Sequence, residues 1–118
     1  MRSLFGKDAP KEHVEAMRRI VSGHDTRGAA ALVNFQVKED YYPGLSRIDV
    51  PTVGLSGEWD KTCPRWHAER LGAEIPSATN VWLSDIGHMV VYEAPDAIVQ
   101  EIMRLFNRTL SNTHSDDY

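Results

Sequence analysis

A single cysteine, Cys63, stands in a chain of 118 residues, so no internal disulfide can staple this fold. No apolar run approaches the ~20 residues needed to cross a bilayer. The first residues, MRSLFGKDAPKEH, lack an apolar core of signal-peptide length. Basic residues are outnumbered, 13 against 17 acidic, and the net charge of −4 disfavours nucleic acid as a partner, because phosphate binding needs a basic face. No internal repeat and no low-complexity stretch interrupts the chain. These absences point to a cytoplasmic protein that engages neither nucleic acid nor membrane. The chain carries 42% hydrophobic and 25% charged residues, the mix of one globular domain rather than a disordered segment.

The first third reads as helical. Ala9 to Val21 carries an apolar stripe of Val14, Met17, Ile20 and Val21, with Asp8 as its cap and Pro10 in its first turn. After SGHD, a second helix is predicted from Thr26 to about Val37, capped by Asp25. KEDYYPGLSRID, from Lys38 to Asp49, is a polar crossing marked by proline and glycine.

At Val50 the texture changes. VPTVGLSG, from Val50 to Gly57, is β-branched, nearly uncharged and does not alternate, the pattern of a parallel strand buried on both faces. GEWDKTCP is a loop, and Pro64 opens a helix to about Ile75. NVWLSD, from Asn80 to Asp85, is a second strand of the same kind. A helix follows from Pro95 to about Leu110, with Ile98, Ile102, Leu105 and Phe106 on one stripe. SNTHSDDY, residues 111–118, has no apolar periodicity and reads as a flexible tail.

The fold class is therefore α/β: two helices, then a βαβα unit with parallel strands and a right-handed crossover. Two parallel strands do not make a self-sufficient sheet, since faces and edges both need cover. The first two helices could cover one face, and hardly the rest. The chain reads as a piece of a larger α/β protein, or one that borrows strands from a partner.

In open parallel sheets, functional groups gather in loops at the carboxyl ends of the strands. Here the first loop offers Glu58, Asp60 and Cys63, and the second Asp85, His88 and Glu93. Adjacent parallel strands bring these loops side by side. An acid on one and a histidine on the next is what a catalytic imidazole needs: the carboxylate holds one ring nitrogen and the other faces the reacting group.

The ordered set Ile48, Pro51, Thr52, Gly57, Asp60, Pro64, Gly87, His88, Glu93 and Pro95 resembles the C-terminal part of the α/β-hydrolase fold family. The resemblance covers roughly Leu45 to Leu110. Residues 8–44 resemble, more loosely, the end of the helical cap over such sites. The implied division is a cap-like segment at 1–44, a partial hydrolase core at 45–110 and the tail. By resemblance Asp60 takes the triad acid position and His88 the general base. The implied reaction is cleavage of a small-molecule ester, lactone or similar bond, with no cofactor and no metal.

The nucleophile that such a family places upstream, on a G-x-S-x-G elbow, is absent. Ser56 belongs to the strand that supplies Asp60, and Ser22 has no preceding strand. The oxyanion-hole loop is absent too. Two readings follow. The chain carries the acid and histidine of a hydrolase whose nucleophile lies elsewhere, and is inactive until complemented. Alternatively it is a non-catalytic remnant or interaction module that pairs its exposed sheet edge with another copy or another chain.

The remaining residues have plainer accounts. Glu58 is a solvated neighbour, and Asp85 rivals Asp60 for His88 but suits a local turn. Glu93 and Pro95 start a helix, with the acid favourable at its N-terminus. Cys63 and His67, four apart, could share a helix face as a metal pair, a weak signal without further ligands. Trp59, Trp66 and Trp82 read as packing residues, with Trp59 alone placed to line a pocket mouth. Phe35, Tyr41 and Tyr42 read as packing between cap and core.

Overall fold

The computed structural model describes residues 1–113. A short 3-10 turn at Arg2–Leu4 precedes helices α1 (Lys11–Ser22) and α2 (Thr26–Lys38), and a second such turn spans Tyr42–Arg47. Then come β1 (Thr52–Gly57), α3 (Arg65–Glu74), β2 (Ala78–Leu83), α4 (Val90–Glu93) and α5 (Pro95–Thr113). The two strands pair in parallel, in register from Thr52 opposite Ala78 to Gly57 opposite Leu83. This is the βαβα unit that the sequence predicts.

Alternation along the strands sorts the helices onto opposite faces. Asn80 donates from Nδ2 to the Ala68 carbonyl of α3 at 3.0 Å, and the Arg65 guanidinium lies 4.1 Å from the centre of the Trp82 ring. Val53 and Leu55 of β1 instead line a groove with Ile98, Ile102 and Leu105 of α5. Both strands therefore end, at Gly57 and Leu83, beside the same pair of loops.

Three expectations need correction. The strands are half-buried rather than buried on both faces. Among the described residues only Phe5 and Ile75, 5% and 8% exposed, are buried hydrophobics. Helices α1 and α2 do not close over the sheet: neither makes a substantial contact with it, and Leu32, Val33, Phe35 and Val37 of α2 are all exposed. A sheet of two strands does not offer enough apolar surface to draw in four helices. Asp8 does not cap α1, whose N-cap is Pro10 with no side-chain bond.

Asp25 does cap α2, accepting from the Arg27 amide at 2.9 Å. α5 runs on through Thr113, three residues into the stretch read as tail. Its last turns carry polar residues, and the Ser111 hydroxyl donates to the Asn107 carbonyl one turn back. The rest of that stretch, 114–118, lies outside the described residues. No helix among the described residues is long and apolar enough to cross a membrane.

Candidate functional site

The loop after β1 is built by backbone bonds to the end of β2. The Glu58 amide donates to the Leu83 carbonyl at 2.9 Å and the Trp59 amide to the Ile86 carbonyl at 2.8 Å. The Asp60 amide then closes a turn onto Gly57 at 3.2 Å. These bonds tie the two loops together before any side chain is considered.

Asp60 is the hub of the first loop. Its Oδ1 accepts from the Thr62 amide at 2.9 Å and the Cys63 amide at 2.8 Å, an aspartate folding the backbone that follows it. Its Oδ2 faces His88 Nδ1 at 2.9 Å, across 28 residues of sequence. The Asp60 side chain is 11% exposed and that of His88 34%. Burial pushes the Asp60 carboxyl upward, but the Cys63 amide, the His88 imidazole and the Thr62 amide outweigh it and hold the group below the usual carboxylate range. Asp60 is thus an acceptor only. Nδ1 of His88 must carry the proton between them, and Nε2 keeps the basic lone pair.

That depression has a stability consequence with a definite sign. A carboxyl whose folded pKa lies below its unfolded value of about 3.9 stabilises the fold above that pH, and the contribution is lost as pH falls through the folded value. Urea unfolding of the wild type and Asp60→Asn should therefore differ most near neutral pH. The gap should shrink steadily below about pH 4. A gap that is flat from pH 7 to pH 3 would show that the pairing carries no proton linkage.

His88 is held by its neighbours in the chain. Asp85 adopts a φ of 62°, so it forms the turn and leaves Asp60 as the partner of His88. Gly87 is buried where a Cβ would lie 2.4 Å from the Phe5 carbonyl carbon and 2.6 Å from the Gly6 nitrogen. Those are backbone atoms that cannot swing aside, which is the physical reason for glycine here. Gly87→Ala should lower stability by about 1–3 kcal/mol, read as a fall in the urea midpoint. A midpoint equal to the wild type would mean the N-terminal segment does not pack against this loop.

Glu93 does more than start a helix. Its Oε1 accepts from the Gly6 amide at 2.6 Å and its Oε2 from the Gly87 amide at 3.0 Å. The Leu4 carbonyl accepts from the Met89 amide at 3.0 Å. Phe5 meets the Tyr92 ring edge-on, with centroids 6.3 Å apart. No sequence pattern signals the Gly6 contact, which spans 87 positions.

Cys63 and His67 do not form a pair. Cys63 precedes α3, which starts at Arg65, so the four-residue helical spacing does not apply to it. His67 Nδ1 bonds the Tyr42 hydroxyl at 3.0 Å, and its ring stacks on Trp66. Cys63 instead joins Asp60 and His88, whose ligand-type atoms lie within 4.8 Å of one another. Burial and then the Asp60 charge push the Cys63 thiol up. Asp60 Oδ2 already accepts from His88 Nδ1, and an ion placed between those two atoms would displace that hydrogen bond. Ser56 lies inside β1, and Ser22 ends α1 with its hydroxyl on the Arg19 carbonyl, so neither stands on a strand-to-helix elbow.

Comparison with solved structures places this geometry. An esterase from Exiguobacterium antarcticum superposes with a TM-score of 0.77 at 19% identity, over 87% of this chain and 38% of its own. An α/β hydrolase enzyme from a metagenome of lagoon sediments at Mar Chica, Morocco, matches with a TM-score of 0.67 at 23% identity, over 84% and 46%. The chain has the fold of part of an α/β-hydrolase. A thermophilic esterase from Thermogutta terrifontis agrees over a shorter stretch, with a TM-score of 0.55 at 27% identity, over 60% of this chain and 26% of its own. The chain spans less than half the length of each of these structures. No protein-family model matches it, and no curated protein does. Within this partial hydrolase fold, the parallel pair β1–β2 brings Asp60 and His88 together.

Proposed function

We propose that the chain supplies the acid and the histidine of a serine-hydrolase triad, with Asp60 orienting His88 and His88 as general base. The observation that carries this reading is the 2.9 Å bond from His88 Nδ1 to Asp60 Oδ2, made between loops of adjacent parallel strands. A serine hydroxyl supplied by a strand–elbow–helix segment would give its proton to Nε2 as its oxygen attacks the carbonyl of a small-molecule ester or lactone. The imidazolium so formed is stabilised by Asp60 and returns the proton to the leaving alkoxide. No cofactor enters this chemistry. Residues 1–44 serve as a cap-like segment, and Leu4 to Gly6 brace the histidine loop.

The test compares p-nitrophenyl ester hydrolysis by the 118-residue chain alone and by the chain joined to a nucleophile-bearing segment. Activity should appear only in the joined form and vanish with His88→Ala.

A second reading is favoured by a separate observation, the exposed stripe of Val99, Ile102, Met103 and Phe106 along α5, beside a sheet of only two strands. In it the chain pairs with another copy or a complementing chain and performs no catalysis itself. The two readings differ in whether His88 takes a proton from a nucleophile.

A further inference from the structure

We propose that Glu93 is the positioning residue for His88: one carboxylate tethers the backbone amide of the residue before the histidine and, through the N-terminal segment, that of the residue after it. On one side the action is direct, since Oε2 accepts from the Gly87 amide at 3.0 Å. On the other side it is indirect. Oε1 holds the Gly6 amide at 2.6 Å, and the N-terminal segment so anchored, whose 3-10 turn ends at Leu4, presents the Leu4 carbonyl to the Met89 amide at 3.0 Å. His88 sits between two tethered amides, and both tethers run through Glu93. The inference rests on the reading of Asp60 and His88 as an acid–base pair and adds what keeps their loops in register.

The chemistry requires a carboxylate at this place. Two amide N–H groups, on buried Gly6 and buried Gly87, converge on one side chain from segments far apart in sequence. A carboxylate offers an acceptor to each, and bonds to a charged acceptor are the stronger kind. An amide side chain would offer one acceptor and point its NH₂ at the other N–H. Aspartate is a methylene shorter and cannot span the same gap without drawing the two loops together. Both glycines pack directly against backbone. At both positions a Cβ would already collide with backbone: at Gly6 it would lie 1.8 Å from the Asp85 carbonyl oxygen, and at Gly87 2.4 Å from the Phe5 carbonyl carbon.

The experiment is nitrogen-15 NMR on the full chain, following solvent exchange of the His88 Nδ1 proton in wild type, Glu93→Gln, Glu93→Ala and Asp60→Asn. Ile75→Ala, at the buried residue that closes α3, is the control for destabilisation without touching the loop. Loss of charge-assisted bonds should speed exchange in Glu93→Ala by about tenfold or more, with Glu93→Gln between it and the wild type. Ile75→Ala should keep slow exchange even at equal or greater loss of stability. Wild-type exchange in Glu93→Gln, or equal acceleration in Ile75→Ala, would overturn the positioning role, and Glu93→Gln decides if Glu93→Ala does not fold. A proton that is unprotected in the wild type, or unaffected by Asp60→Asn, would instead defeat the Asp60–His88 pairing itself.

Discussion

The 118-residue chain alone will hydrolyse p-nitrophenyl acetate no faster than an equal concentration of free imidazole. On the proposed function His88 is its base, with Nδ1 on Asp60 Oδ2 at 2.9 Å and, in the neutral imidazole, the lone pair on Nε2. What is missing is an oxygen for that lone pair to deprotonate: Ser56 is inside β1 and Ser22 is at the end of α1. A general base without its nucleophile can only activate water, which contributes little beside an oriented triad. Joined to a segment with a strand, a G-x-S-x-G elbow and a helix, the rate should rise by about a thousandfold or more, and His88→Ala should return it to background. Robust activity in the isolated chain that His88→Ala abolishes would place the nucleophile within these residues. Loss on Cys63→Ser would then identify it as the thiol that shares the cluster with Asp60 and His88.

The second large effect concerns association. Ile102 and Phe106 lie one turn apart on α5, 57% and 58% exposed, and Ile102 lines the groove of about 300 Å³ that α5 forms with Val53 and Leu55 of β1. Large apolar side chains left in water along a helix beside an incomplete sheet are the surface that a further strand, or a second copy, would cover. Size-exclusion chromatography should therefore report a species larger than the monomer, and Ile102→Glu with Phe106→Glu should restore the monomer. Covering the exposed half of two such side chains is worth about 2–3 kcal/mol, so the double substitution should weaken association by about thirtyfold to 150-fold. Both residues are already half in solvent, so the helix itself should survive the change. A wild type that stays monomeric at high concentration would remove the case for a borrowed strand.

Much of the architecture was legible in the residues. The uncharged, β-branched runs at Val50 and Asn80 marked both strands because a parallel strand leaves few polar positions. Their ends came out within a few residues of Thr52–Gly57 and Ala78–Leu83. Asp25 announced α2 because a side-chain oxygen before a helix has one obvious use. Other features were hidden. Helix α4 spans only four residues, too short for any periodicity to show. Asp8 looked like a cap, yet the helix begins after Pro10, whose fixed φ suits the boundary equally well. Burial was overestimated because strand composition records the environment a complete sheet provides, and the described residues form only two strands.

The site divides along the same line. Sequence alone determined the residue types, their order, the parallel pairing that brings Asp60 and His88 onto adjacent loops, and the lack of an elbow serine. The pairing follows from local propensity and spacing, which act over a few residues at a time, and the choice of Asp60 and His88 and the missing elbow from the family resemblance. Tertiary structure alone decided that Cys63 joins Asp60 and His88 while His67 turns to Tyr42, and that Glu93 holds Gly6 and Gly87 together. Each of those choices is a contact between segments distant in sequence. Its geometry exists only once the loops have closed.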